Sequence, residues 1–381
     1  MINRWEEDLF LGAEQVHVLD MKTFSNLAIS IVSLVFLIGC SGSGENSSGN
    51  TIALGEVKYI QSFPKEVRAS KPREIRLDNP GALDIVVHKG IIYTSGGTSP
   101  KVINGYDANN GRYLGCFFSV GNGPDELLYS PYLCMCTSYE KDGHLVYDLN
   151  DGKNHLLTVD FTESLACGKA EIISSRDLSM SVMHCLGLPG HEEVYGSYVN
   201  PKRTGFDRFL LGSEGPVTIP AMDRLNDGRI KREGDGFLFN IVGFHAGYNV
   251  TLSRILEVSI YLNTIHLYDL SGEFARTVCI GKRMNDIDKI EDAGLQGMNE
   301  IFMKVMSYPD FFAVLSDESV RTGEKGAGQS ILVFDWEGNA LVKVDMDRKI
   351  TAFAFDLDSN KLYAYDQDKT GLWIYELPSF S

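Results

Sequence analysis

Apolar and polar positions along this chain change over in short bursts. Ile85-Val86-Val87, Ile91-Ile92-Tyr93, Leu145-Val146-Tyr147, Leu156-Leu157-Thr158-Val159, Ile331 to Phe334, Ala352 to Phe355 and Leu372 to Tyr375 are separated by stretches rich in Gly, Asn, Asp or Ser. Apolar runs of this length between turn residues read as β-strands. Beyond the first forty residues no long segment repeats with a helical period. The single helix that the pattern predicts covers 286–297 and is short. The expected class is all-β.

One phrase recurs among these strands: an aromatic residue, an acid, then a glycine turn. Ile265 to Phe274 carries it as Tyr268-Asp269 before Gly272, and Val102 to Gly111 as Tyr106-Asp107 before Gly111. Leu145 to Gly152 and Ile331 to Gly338 repeat it, Phe209 to Gly215 is a degenerate copy, and Leu372 to Glu376 is the last. Tyr106 to Tyr147 and Phe334 to Tyr375 are both 41 residues apart, while the spacings between Tyr147 and Phe334 are longer. A four-stranded propeller blade takes roughly 40 to 50 residues. Six copies therefore predict a six-bladed β-propeller with insertions in its middle blades. A pair of β-sandwiches is the alternative, but it does not explain a blade-like period. Closure pairs an N-terminal strand with the last blade, and Ala53 to Phe63 or Glu74 to Leu77 is the expected source of that strand.

The N-terminus divides differently. Met21-Lys22 precedes an apolar run, Leu27 to Ile38, which ends in Leu37-Ile38-Gly39-Cys40 and then Ser41-Gly42-Ser43-Gly44. Charge, a short apolar run and a small-residue exit make a secretory signal, and the run is too short for the ~20 residues of a spanning helix. The four residues before Ser41 resemble the bacterial lipobox. That resemblance implies cleavage before Cys40 and lipidation of its thiol; an ordinary signal peptide with an incidental cysteine is the plainer reading. Acidic Trp5-Glu6-Glu7-Asp8 does not suit the front of a signal. Residues 1–20 are therefore expected to be a misassigned start, the alternative being an uncleaved internal apolar segment. The expected organisation is 21–39 signal peptide, 40–52 lipidated Cys40 and a Ser/Gly-rich tether, and 53–381 propeller.

A further stretch ties the chain to a family. Gly121-Asn122-Gly123-Pro124-Asp125-Glu126-Leu127 resembles the G-x-G-P-x-E segment of TolB-like six-bladed propellers found among Bacteroidetes lipoproteins, as do Ile265 to Gly272 and Ile331 to Gly338. The resemblance covers roughly Asp84 to Leu377, and Asp125 stands where that family often has Gly. It implies the fold and an envelope location, and its motifs do not specify an activity.

Charge and composition narrow the partners. A formal net charge of −16 argues against nucleic acid and anionic lipid surfaces. The densest basic run, Arg224, Arg229, Lys231 and Arg232, is interrupted by acids and reads as a solvated loop. Cys116, Cys134, Cys136, Cys167, Cys185 and Cys279 match no zinc spacing and are expected to be free thiols in strands, with Cys134 and Cys136 on one side of the same strand. Gly121-x-Gly123 is a blade-connecting turn with Glu126 bonding its amides, not a phosphate cradle, because Pro124 and Pro131 prevent the helix that a cradle opens. His184-Cys185 is not a nucleophile pair, since neighbours on a strand point to opposite faces. His191-Glu192-Glu193 lacks the second His of a metalloprotease helix, and no G-x-S-x-G occurs.

These readings predict a lipid-anchored binding module for a protein partner or a glycan, without catalytic residues, metal ligands or a cofactor. The ligand is expected at the channel mouth or on an inserted loop such as Asp317 to Gln329. The location is the cell envelope, on an outer membrane and facing either the periplasm or the exterior. The rival is a calcium-dependent hydrolase or lactonase using the channel. Asp84, His144, Glu257 and Asp356 are its candidate residues because each lies near a plausible first strand. A purely structural envelope component is the third reading.

Overall fold

A computed structural model describes residues 49–78, 81–97, 100–200, 205–227, 241–368 and 371–377. Gly49 onward clusters as one unit. Three strands come first in the chain: β1 (Glu56–Ile60), β2 (Glu66–Arg68) and β3 (Arg73–Arg76). Six antiparallel blades follow. Blade 1 is β4 (Ala82–His88), β5 (Ile91–Gly96), β6 (Lys101–Asp107) and β7 (Tyr113–Val120), with a short β8 (Glu126–Leu127) on its outer edge. Blade 2 is β9 (Thr137–Lys141), β10 (His144–Asn150), β11 (His155–Asp160) and β12 (Glu171–Asp177). Blade 3 is β13 (His184–Gly187), β14 (Val194–Asn200), β15 (Gly205–Gly212) and β16 (Gly215–Val217). Blade 4 is β17 (Phe244–Asn249), β18 (Arg254–Ser259), β19 (Thr264–Asp269) and β20 (Ala275–Ile280). Blade 5 is β21 (Phe302–Ser307), β22 (Phe311–Asp317), β23 (Gln329–Asp335) and β24 (Ala340–Asp345). Blade 6 is β25 (Ala352–Asp356), β26 (Lys361–Asp366) and β27 (Gly371–Glu376), completed by β3. The protein is a six-bladed β-propeller.

The first three strands make a belt. β1 adds in parallel to β20, β2 in parallel to β24, and β3 antiparallel to β27. Glu74 to Leu77 thus contributes the closing strand, whereas Ala53 to Phe63 covers the outer edge of blade 4. An uncovered outer strand presents a row of free backbone groups, and the belt removes that row from blades 4 and 5.

The core lies in the seams between blades. Leu256, Ile265, Phe302 and Phe334 fill the seam between blades 4 and 5, and Ile85, Tyr106, Ala354 and Tyr363 fill that between blades 6 and 1. Both faces of the central strands meet neighbours, so β22 and β25 are buried along almost their whole length and read as unbroken apolar runs. Each fully buried Leu, Ile or Phe contributes about 1.5–3 kcal/mol.

Several expectations change in detail. The predicted helix divides into α3 (Ile287–Ala293) and a 3-10 turn, Gly294–Gly297. Helices α1 (Phe161–Cys167), α2 (Pro220–Asn226) and α4 (Glu318–Thr322) were not foreseen. Asp160 starts α1 by accepting from the Glu163 N–H at 2.8 Å, and an acid three residues ahead of a Glu was a readable start signal. Cys134 is not on a strand: Leu133–Met135 is a 3-10 turn, because Pro131 cannot supply a ladder hydrogen bond. All six described cysteines are unpaired, but only Cys134, Cys185 and Cys279 are buried. Among the described residues no helix is long and apolar enough to cross a membrane.

Antiparallel pairing gives the disc two unlike faces. Every innermost strand runs from the face of the inter-blade connectors and second-to-third-strand loops, here the connector face, to the face of the first-to-second-strand turns, here the hairpin face.

Candidate functional site

The channel lined by the innermost strands is filled part of the way down. The Leu133–Met135 turn, on the connector between blades 1 and 2, packs against β4, β13, β17 and β21. The Cys134 N–H donates to Asp84 Oδ2 at 2.8 Å, so the turn is tied to blade 1. Lys304, on β21, stands 3.6 Å from Asp84 Oδ1, donates to the Leu83 carbonyl at 3.2 Å and lies 4.8 Å from the Tyr132 ring centroid. Burial works most strongly against the Lys304 charge, but the Asp84 carboxylate, Cys134 and Tyr132 together outweigh burial and the pKa is raised. The ammonium remains charged and neutralises the single carboxylate here. His245, beside both, is driven down to about 4 by burial and by Lys304, and so stays neutral.

Beyond this plug the channel opens on the hairpin face as a cavity of about 430 Å³. Five blades line it: 86–89 of blade 1, 138–140 with Leu145 and Tyr147 of blade 2, 248–251 of blade 4, 306–309 of blade 5 and 354–358 of blade 6. Its wall is rich in aromatics because the ends of innermost strands, which must pack against neighbouring blades, supply it. Tyr308 is held firmly there. Its Oη accepts the Phe355 N–H at 2.8 Å, its ring stacks on Phe311 at 4.6 Å, and its carbonyl accepts from Trp336 Nε1 at 2.9 Å.

The charged groups stand around the rim. Lys89 donates to Glu140 at 3.0 Å and to the Gly143 carbonyl at 2.9 Å, and the Lys89 hydrogen bond holds Glu140 below the usual carboxylate range. Asp356 accepts from Ser359 Oγ at 2.6 Å and from the Asp358 N–H at 3.2 Å, which closes its own turn. Exposed Asp358 adds a third acid to the rim.

The four residues nominated for channel chemistry do not form one site. Asp84 is at the plug and Asp356 at the hairpin-face mouth, both on innermost strands. His144 and Glu257 lie on second strands, β10 and β18. His144 pairs with Asp160 at 2.7 Å. Glu257 is fully buried in the seam of blades 3 and 4, accepting from Arg208 Nε at 2.8 Å, Tyr268 Oη at 2.7 Å and Tyr195 Oη at 3.0 Å. Among the described residues, no group of three or more His, Cys, Asp or Glu side chains could hold a metal. The loop 317–329 joins β22 to β23 and carries α4, which places it on the connector face, opposite the mouth. Gly121 to Glu126 is a turn, with the Gly123 N–H donating to Glu126 Oε2 at 2.7 Å. A Cβ on Gly121 would fall 2.1 Å from that carboxylate. Arg224 lies on α2, while Arg229, Lys231, Arg232 and Cys40 fall outside the described residues.

The mouth residues escaped sequence reasoning apart from Asp356. Tyr139, Tyr248 and Tyr308 close innermost strands, and only knowledge of which strand is innermost distinguishes them from the other tyrosines.

No protein-family model matches the chain, and no curated protein does. Among solved structures it is similar to Raptor from Chaetomium thermophilum, with a TM-score of 0.43 and 11% identity over 82% of this chain and 29% of that one. The chain therefore spans less than a third of that relative. It is also similar to U3-55K and to the WD40 repeats of RRP9, each with a TM-score of 0.42 and 12% identity over 82% of this chain, covering 100% and 99% of those chains.

Proposed function

We propose that this protein is an exported, lipid-anchored binding module of the TolB-like propeller lipoprotein type, which holds an envelope ligand at the hairpin-face mouth. The observation that carries the reading is the convergence of five blades on one aromatic-walled cavity above a filled channel centre. A cavity of that size with a few placed polar groups is the usual form of a ligand site. The signal at 21–39 and the lipobox-like Leu37 to Cys40 support export and anchoring at the envelope.

The hydrolase alternative has less behind it. A channel calcium needs several oxygen ligands around one point, whereas Asp84 faces Lys304 and the other nominated acids lie elsewhere. Metal analysis of the purified full chain, combined with esterase and lactonase assays, tests the choice. The expected result is no stoichiometric calcium and no turnover; bound calcium with turnover lost on chelation would overturn the binding reading. Anchoring has a separate test. Cys40→Ala is expected to abolish acyl labelling and to move the protein from membranes to the soluble fraction.

A further inference from the structure

We infer that the connector face rests on a zwitterionic lipid surface through an exposed apolar patch formed by Val120, Leu128, Tyr129 and Tyr132. This goes beyond the proposed function and rests on its lipidation of Cys40. The four side chains are 39% to 53% exposed, although the backbone that carries them is fixed. Val120 ends β7, which runs to the connector face. The Leu128 N–H donates to the Asp151 carbonyl at 3.0 Å, in the β10–β11 loop of blade 2. The Pro131 carbonyl accepts from Ser95 Oγ at the connector end of β5, and the Tyr132 ring centroid lies 4.8 Å from Lys304 Nζ, beside the plug. The segment therefore crosses the connector face from the edge of blade 1 to the axis.

What meets this face follows from where the chain joins it. Asn50 is bonded to Asp286 and Asp288 at the start of α3, between blades 4 and 5. The tether from Cys40 therefore reaches the connector face across the axis from the patch. Residues 41–49 span at most about 30 Å. A lipidated Cys40 keeps the bilayer within that reach, and tethering makes even a weak second contact an intramolecular one at high effective concentration. Tyrosine suits the headgroup level, because its ring is apolar and its hydroxyl stays wet. Val120 and Leu128 add apolar area to the same contact. Charge selects the lipid. The net charge of −16 is repelled by an anionic surface, and Lys153, the cation beside the segment, is engaged by the Gly123 and Glu126 carbonyls at 2.7 Å each. A tether alone leaves the disc free to turn, whereas a second contact on the far side of the axis holds the connector face against the bilayer.

The test is hydroxyl-radical labelling of the full acylated chain on phosphatidylcholine vesicles, with the Cys40→Ala chain free in solution as the reference. Labelling of Tyr129 and Tyr132 is expected to fall roughly five-fold on the vesicles, as rings at the headgroup level leave bulk water. Tyr113, 41% exposed at the hairpin end of β7, should be labelled equally in both. A fluorescent non-natural residue at position 132 should be quenched about two-fold by lipid with a nitroxide high on its acyl chain, and the same residue at 113 should not. Phosphatidylglycerol vesicles should protect the patch less; equal or greater protection there would overturn the zwitterionic choice. Unprotected tyrosines on a chain that is acylated and bound would overturn the inference and leave the anchor standing. A chain that carries no acyl label and stays off the vesicles would overturn the anchor, and the second contact with it. Protection in whole cells but not on pure lipid would give the patch to a protein partner and overturn the lipid contact.

Discussion

His266 shows how the interior ties stability to pH. It lies on β19, 4% exposed, with Nδ1 3.1 Å from Thr277 Oγ1. Burial, reinforced by the nearby Arg208 charge, lowers its pKa from 6.5 to about 3. In the unfolded chain the ring protonates near pH 6.5, and in the folded chain it does not until about pH 3. The folded pKa is depressed, so full stability is present above pH 6.5 and is lost as pH falls towards 3. By pH 5 this one group removes about 2 kcal/mol. His184 and His245, both held near 4 by burial, act in the same direction. Urea unfolding at pH 7 and pH 5 should show His266→Gln losing less stability than wild type between the two; equal losses would refute the assignment. The Arg208–Glu257 pair behaves differently. Glu257→Leu strands a buried guanidinium and should cost about 3–5 kcal/mol, while adding Arg208→Leu should recover much of it. Additive losses in the double variant would show the two side chains to be uncoupled. Glu257 was visible in the sequence as an acid in an apolar strand, Ile255 to Val258. Its partner was not, because Arg208 lies 49 residues away on another blade.

At the scale of elements, the repeated aromatic-acid-turn phrase led to six blades, one of them by accident. Tyr106, Phe209, Tyr268, Phe334 and Tyr375 occupy the third strands β6, β15, β19, β23 and β27. Tyr147 occupies β10, the second strand of blade 2. The third strand there is β11, where Val159-Asp160 runs into α1 instead of a glycine turn. The 41-residue spacing from Tyr106 to Tyr147 therefore joined unlike strands, whereas that from Phe334 to Tyr375 joined like ones, and the blade count survived because blade 2 had supplied a copy from the wrong place. Alternation identifies a strand but not its rank from the axis, since the first, second and third strands of a blade such as β21, β22 and β23 are all largely buried on both faces. For the same reason Asp84 and Asp356 were placed correctly and His144 and Glu257 were not. Closure was more legible, because Glu74-Ile75-Arg76-Leu77 alternates as an edge strand should. Ile75 is buried opposite Leu372 and joins the seam of blades 6 and 1. Ile75→Asp should cost about 3 kcal/mol or more in urea unfolding, by burying a charge in that seam. Val57→Asp on the half-buried β1 should cost about a third of that. Equal costs would mean that β3 closes the ring no more than β1 does.

Across the whole molecule, the point where the chain joins the disc bears on what the mouth meets. The Asn50 N–H donates to Asp286 Oδ1 at 3.1 Å, its side-chain amide to Asp288 at 3.0 Å, and its carbonyl accepts the Ile287 N–H at 2.9 Å. Asn50 and Ile52, expected within the tether, are thus part of the folded unit. These contacts hold the chain at the start of α3, in the connector between blades 4 and 5 and so on the connector face. From there Ile52 and Leu54 descend into the core shared by blades 3 and 4, Gly55 turns with φ +52°, and β1 returns along the edge of blade 4. The hairpin-face cavity opens on the opposite side. If Cys40 carries lipid as proposed, residues 41–49 reach at most about 30 Å, and that reach starts from the connector face. The mouth should then open away from the bilayer, towards ligands arriving from the medium. A fluorescent non-natural residue at Lys282, exposed on the connector face, should be quenched by nitroxide-headgroup lipid when the full chain is bound to vesicles. The same residue at Asp358 should not be. Cys40→Ala reports on the anchor separately, since it should release the protein from the vesicles altogether. Stronger quenching at 358 than at 282 in protein that stays bound would reverse the orientation, turning the cavity to the lipid surface.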